Sequence, residues 1–368
     1  SMVAPAQGPM VESEGKTLHN FSSNDYLGLA NHPEVRQSAQ EAISRAGAGS
    51  GASRLICGTL PEHLQLEADV ATFKRCEAAL TFSSGYAAAL GAIPALVGKG
   101  DVIILDKLCH ACLVDGAQMS GATLRVFPHN DLAALESRLL WARKTYPEGK
   151  ILILAESVYS MDGDLAPLAD IVELKDHYRA WLLLDEAHGV GVLGEGGRGL
   201  ADALGVAHRI ELQMGTLGKA LGSAGAYVCG AGSLREFLIN RARSFVFSTS
   251  PPPSAAAAAS AAIRLLSNPQ TAGSLISALH GNVRRLCGNL QLPLSPSPII
   301  PIILGAEDKA LQISALLLEA GFLVPAIRFP TVARGQARLR ITLTSGHTTT
   351  AIDHLTSAIQ TTKDEGGT

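Results

Sequence analysis

Charge is scarce in this 368-residue chain: Asp, Glu, Lys and Arg together supply 17% of it, as 33 acidic and 30 basic side chains. The resulting net charge of −3 carries no basic footprint, so nucleic acid is not an expected partner. Aromatic residues are scarcer still, at 5%. No apolar run approaches the ~20 residues that cross a bilayer; Ala255 to Ala262 stops short and is followed by Arg264. The six cysteines form no disulfide framework, and no leader-like segment precedes them, which favours reduced thiols in a cytoplasmic protein. Cys109-His110-Ala111-Cys112 has the spacing of half a zinc knuckle, but a second pair is missing and no metal is expected. Asp185 to His188 spells a helicase box, yet the phosphate loop it requires is absent: Ala220 follows Lys219, and position 213 is Gln. A dinucleotide fold is equally unsupported, since no G-x-G-x-x-G follows the first strand of the expected sheet.

What remains is apolar and rich in small residues, with 47% hydrophobic side chains and 37 glycines. Ser1-Met2 reads as a cloning remnant, and the first ~20 residues read as a loose polar arm. From His32-Pro33 onward, helical and strand patterns alternate. Ala79 to Phe82, Val102 to Leu105, Leu124 to Phe127, Ile151 to Ala155, Trp181 to Leu184 and, more weakly, Glu211 to Met214 read as strands. Their continuous apolar character predicts a mainly parallel sheet with helices on both faces. Beyond Pro251-Pro252-Pro253 the pattern changes to a smaller α+β region, and residues 361–368 read as a frayed polar tail. The expected division is an arm over 1–32, a large α/β domain over 33–265 and a small domain over 266–368.

Chemistry concentrates where the strands end, as it does in open α/β sheets. Gly215-Thr216-Leu217-Gly218-Lys219-Ala220-Leu221-Gly222-Ser223-Ala224-Gly225 holds one lysine among residues with almost no side chain. Such a lysine suits work as an amine, above all as a Schiff base with a carbonyl cofactor. Ser83-Ser84-Gly85-Tyr86 leads from a strand into a helix N-terminus, a natural phosphate seat or simply a capped helix. Asp185 and Glu156 each close an apolar strand, where a carboxylate needs a cationic partner. A protonated pyridine nitrogen would serve, and His188 lies close enough in sequence to reach the same ligand. His110 follows another strand end. Arg328, Arg338 and Arg340 gather guanidinium groups, of which Arg338 and Arg340 would share one strand face.

Asn24-Asp25-Tyr26-Leu27-Gly28-Leu29, Ser157 to Asp164, Asp185 to Gly189, Thr216 with Gly218-Lys219, and Phe247-Ser248-Thr249-Ser250 together resemble the α-oxoamine synthase family of pyridoxal-phosphate enzymes. The resemblance runs from Asn20 to about Leu355. It implies a fold type I, aminotransferase-like α/β architecture, pyridoxal 5'-phosphate as cofactor, and decarboxylative condensation of an amino acid with an acyl thioester. It further implies that Lys219 bonds covalently to the cofactor and serves as base, with Asp185 on the pyridine nitrogen and His110 stacked on the ring. His188 and Ser160 would bond the phenolic oxygen. Gly85, Tyr86 and Thr216 would hold the phosphate, joined by Ser248 and Thr249 of a second subunit in a homodimer. Arg340 would grip the amino-acid carboxylate, with Asn24, Glu156, Thr331 and Arg328 around the reacting groups. The stretch Ala326 to Val332 resembles members that join alanine to a pimeloyl thioester, carried on coenzyme A or a carrier protein. The alternatives are glycine with acetyl-coenzyme A, another acyl chain, or a silent homologue acting as an oligomer partner.

Overall fold

The computed structural model describes residues 8–13 and 15–365, except for the side chains of residues 363–365. Ser1-Met2 lies outside the described residues. The chain groups into two compact units: a larger one of residues 33–159 and 165–269, and a smaller one whose described residues include 8–32, 160–164 and 270–365.

In the smaller unit the described part of the expected loose arm is a hairpin. Strands β1 (Met10–Ser13) and β2 (Lys16–Asn20) pair antiparallel. Val11 and Leu18 face each other in register and are both buried, an alternation easily masked by the polar residues between.

The larger unit is built on one seven-stranded sheet. Its strands are β3 (Ala78–Phe82), β4 (Val102–Asp106), β5 (Thr123–Phe127), β6 (Ile151–Glu156), β7 (Trp181–Asp185), β8 (Leu212–Thr216) and β9 (Ala226–Gly230). The spatial order is β3-β9-β8-β7-β6-β4-β5, and β9 alone runs antiparallel to its neighbours. Every residue of β4 and β6 is buried, as two covered faces demand. The expected parallel sheet is therefore present with one strand added. That strand follows the glycine-rich lysine stretch so closely that the two read as a single loop.

Strand β9 gives the lysine stretch its shape. β8 and β9 form a hairpin, closed by Leu217 N–H donating to Gly225 C=O at 2.9 Å. Gly225 sits at φ 100°, and a Cβ there would lie 2.9 Å from the Phe82 carbonyl oxygen. Only glycine permits both the dihedral and the approach to β3. Two further loops also pack in this unit: Ser53 bridges Thr249, and Ser250 N–H donates to Ala52 C=O at 2.9 Å.

The rest of the smaller unit contains β10 (Ile299–Gly305), β11 (Phe322–Leu323), β12 (Ala326–Ile327) and β13 (Ala337–Thr342). β10, β13 and β12 form an antiparallel sheet, while β11 joins the hairpin beside β2. The closing helix Thr349–Glu365 runs through most of the expected frayed tail. Its inner residues Ile352, Leu355 and Ile359 are buried, which holds the helix against its unit.

One buried ion pair fastens the start of the large sheet. Arg54 Nη1 lies 2.8 Å from Glu67 Oε1, with side chains only 4% and 5% exposed. The same carboxylate oxygen accepts from Thr81 N and Oγ1 on β3, at 3.0 and 2.9 Å. Removing one member strands a charge out of water, which typically costs ~3–5 kcal/mol. Arg54→Ala should therefore lower the unfolding free energy, measured by denaturant titration, by an amount in that range. A loss below about 1 kcal/mol would show that the pair contributes no more than a surface contact.

Candidate active site

Five parallel strands deliver side chains to one edge of the large sheet. Gly85 and Tyr86 follow β3, His110 follows β4, Glu156 ends β6, Asp185 ends β7 and Thr216 ends β8. They line a cavity together with Cys112, Ala187, His188, Met214 and Lys219. Eight residues singled out from the sequence thus meet: Gly85, Tyr86, His110, Glu156, Asp185, His188, Thr216 and Lys219. Cys112, Ala187 and Met214 were not anticipated. Cys112 stands two residues beyond His110 in a helix start, and Met214 faces Asp185 in register, so both follow from neighbours that were.

Two carboxylates set the electrostatics. Glu156 and Asp185 are register partners on β6 and β7, and they are 3% and 5% exposed. Burial pushes the Asp185 carboxyl up, while the Lys219 charge pulls it down. Burial pushes Glu156 further up, and Asp185 adds to the rise. Two adjacent acids away from water cannot both carry charge cheaply, so Glu156 keeps its proton first. Its Oε1 accepts the His110 backbone N–H, and Asp185 Oδ1 accepts from Ala187 N at 2.8 Å.

Lys219 is not left to itself by its glycine surroundings. Its Nζ lies 3.0 Å from His188 Nε2, brought from the neighbouring strand end. His110 caps the helix Ala111–Ser120 from the cavity mouth, where its ring is partly exposed. Burial of its inner side and the Lys219 charge hold its pKa below the ordinary histidine value.

The cavity also has the features of an anion seat. Thr216 Oγ1 is buried and makes no hydrogen bond. A Cβ at Gly85 would come within 2.9 Å of Thr216 Cγ2, so glycine keeps this space open. Gly85 begins a helix of 12 residues, whose first N–H groups and dipole favour negative charge. Cation-seeking carboxylates, an amine and an anion seat in one cavity match the chemistry of a phosphorylated pyridine aldehyde.

The other sequence candidates lie elsewhere. Thr249 is exposed beside the loop of residues 50–58, and Ser248 precedes it; neither lines the cavity. In the smaller unit Arg340 is buried, with Nε donating to Ser160 C=O at 2.6 Å and both Nη atoms 3.3 Å from Asn24 Oδ1. Arg338 turns to the same segment as its strand partner, pairing with Asp162 at 2.6 Å. Arg328 and Thr331 are exposed.

A family model described as aminotransferase class I and II matches residues 16–359, and the chain belongs to that family, with the fold type I architecture. An 8-amino-7-oxononanoate synthase of Maricaulis maris is 48% identical, covering 97% of this chain and 89% of its own length. An enzyme of the same name from Geobacter sulfurreducens is 47% identical, covering 97% and 92%. Among solved structures, a serine palmitoyltransferase from S. paucimobilis with a bound PLP–myriocin aldimine has a TM-score of 0.95 at 31% identity. It covers 100% of this chain and 93% of its own.

The carboxylate pair predicts a pH dependence. Glu156 rises from an ordinary value of 4.5 to about 8 in the folded chain. An acid that binds its proton better when folded stabilises below its unfolded pKa and loses that contribution as pH rises through the folded one. The melting temperature of cofactor-free protein should therefore fall relative to Glu156→Gln as pH climbs from 5 to 8. Parallel curves for the two proteins would refute the raised value.

Proposed function

We propose that this chain is a pyridoxal 5'-phosphate-dependent acyltransferase that condenses L-alanine with a pimeloyl thioester, on coenzyme A or a carrier protein. The products would be 8-amino-7-oxononanoate, carbon dioxide and the free thiol, a step of biotin biosynthesis. The observation that carries this substrate choice is similarity over nearly the whole chain to relatives of that name, at 47% and 48% identity. The cavity supports the chemistry independently of any name.

When bound, the cofactor supplies an electron sink for negative charge at the amino-acid Cα. Thr216 Oγ1 and the helix start at Gly85 and Tyr86 would hold its phosphate. Asp185 would face the ring nitrogen, where its charge keeps a proton in place. His110 would cover the ring, and His188 and Ser160 would bond the phenolic oxygen. Lys219 Nζ would hold the cofactor covalently, then take and return the proton at the alanine Cα, with His188 as its hydrogen-bond partner. Glu156 would face the reacting groups in its neutral form. In the smaller unit Arg340, backed by Asn24, would bind the alanine carboxylate as a charge-assisted pair, with Thr331 facing the reacting groups and Arg328 a further substrate-binding residue.

The reading includes a homodimer, with Ser248 and Thr249 of one chain reaching the phosphate of the other, in the cytoplasm. Its support is an exposed apolar group beside that turn: Phe247 is 71% exposed and Ile56 79%, with Leu55 alongside. Exposed apolar side chains on two bridged loops are what a subunit contact would cover. No helix among the described residues is long and apolar enough to cross a membrane.

Steady-state turnover across a matrix of amino acids and acyl thioesters tests the substrate assignment. Highest kcat/KM with alanine and a pimeloyl thioester is expected, and a maximum with glycine and acetyl-coenzyme A would replace it. Asp185→Asn should retain cofactor binding but lose roughly 10²–10³ in kcat, the usual scale for one electrostatic partner. Unchanged kcat would remove Asp185 from the ring.

The shared site has its own test. Lys219→Ala and a chain carrying Ser248→Ala, Thr249→Ala and Ser250→Ala should each be inactive, and mixing them should restore activity. A mixed dimer then holds one site with both defects and one with neither. Persistent inactivity after proven subunit exchange would show that the turn serves its own chain.

A further inference from the structure

The geometry assigns Cys112 as a positioning residue for His110, one that fixes which ring nitrogen of the histidine carries the proton. This inference deepens the proposed function and rests on it only where turnover is concerned.

The His110 Nδ1 has two partners from the same residue. It accepts the Cys112 backbone N–H at 3.2 Å, and it lies 3.1 Å from Cys112 Sγ. A ring nitrogen that accepts an N–H cannot itself be protonated, so the proton of the neutral imidazole belongs on Nε2. The thiol is a donor as well as a neighbour. Cys112 is 3% exposed, and burial, with Asp185 and Glu156 nearby, pushes its thiol up to about 12. It therefore remains S–H at any physiological pH and can donate to Nδ1. Together the two donors hold the ring in one tautomer and one rotamer.

Burial acts in the same direction, and the two charges that reach the ring oppose each other. Lys219 disfavours a charged ring from the lysine loop, while Asp115 on the helix itself favours it. Glu156 reaches the residue through the His110 backbone N–H, which holds the main chain. The ring also caps the N-terminus of the helix Ala111–Ser120, where a positive charge would oppose the helix dipole. Protonating Nδ1 would break the backbone cap, and the sulfur contact could persist only with Sγ as the acceptor. A neutral ring with a defined donor edge at Nε2 is the outcome. A flat neutral face and a fixed donor suit a residue proposed to cover an aromatic cofactor.

Three variants separate the thiol's contribution from packing. Cys112→Ser keeps a donor, Cys112→Ala removes it, and Cys112→Val removes it while keeping bulk. Nitrogen-15 NMR of the cofactor-free protein, with His110 assigned by its loss in His110→Gln, reads tautomer and titration directly. Wild type and Cys112→Ser should show the Nε2–H form. Cys112→Ala and Cys112→Val should both show a tautomer mixture and a His110 pKa higher by roughly half to one unit, the equivalent of one hydrogen bond. An unchanged tautomer and titration in Cys112→Ala would overturn the assignment, because the backbone N–H would then suffice alone. A rise in Cys112→Ala that Cys112→Val reverses would also overturn it, since packing would be the cause. The acid limb of kcat/KM should move with the NMR value. If the NMR shift occurs in a protein that turns over none of the proposed substrates, the functional reading fails and the role of Cys112 stands.

Discussion

Two carboxylates that cannot both be charged are the constraint on which the site depends. Glu156 and Asp185 face each other from adjacent strands at the buried edge of the sheet. Such a pair stores unfavourable energy unless one acid keeps its proton and the other meets a cation. The structure adopts both remedies, since Glu156 is raised above Asp185 and Lys219 lends its charge to Asp185. The rest of the cavity follows from this. A positively charged ring nitrogen beside Asp185 would be held by an interaction that the fold has prepared at its own expense. The anion seat at Gly85 and Thr216 then orients the opposite end of the same ligand.

The lysine reaches this edge because of the one antiparallel strand. β9 folds back along β8 and converts a glycine-rich segment into a closed hairpin loop. Gly225 lies against the Phe82 carbonyl, and Gly215 lies so close to Tyr227 that a Cβ would meet its hydroxyl oxygen at 2.4 Å. Two glycines of the lysine stretch thus serve approach of the backbone to its own sheet. Their effect on function is indirect. They hold the loop in one shape, so that Nζ is placed within 3.0 Å of His188.

Much of this is legible in the sequence. The strands β4, β6 and β7 declare themselves as apolar runs, and the polar residue that ends each run is a cavity residue or leads to one. What the sequence hides are pairings set by sheet order. Lys219 and His188 are 31 residues apart, and Asn24 and Arg340 are 316 apart. Local pattern carries no information about such distances. The first hairpin escaped notice because only alternate residues are buried and its polar residues dominate. β9 escaped because it begins where a loop seems to continue. Substrate identity is a different matter. The residues that carry the resemblance define the shared chemistry, and whole-chain similarity to named relatives favours one acyl chain among several.

Proton placement is the remaining link between fold and reaction. Seven titratable groups line this cavity: Tyr86, His110, Cys112, Glu156, Asp185, His188 and Lys219, of which burial keeps the Cys112 thiol protonated. With Glu156 neutral and His110 held neutral, the charge balance rests on Asp185 and the Lys219–His188 pair. At 3.0 Å, Nζ and Nε2 share one hydrogen bond, and two protonated partners would repel each other. A cationic ring beside Asp185 would supply the carboxylate's counter-charge in place of Lys219. The lysine would then be relieved of its electrostatic duty, which is the condition under which an amine can bond to a carbonyl and later accept a proton. The arrangement thus links ligand binding to amine chemistry through charge balance.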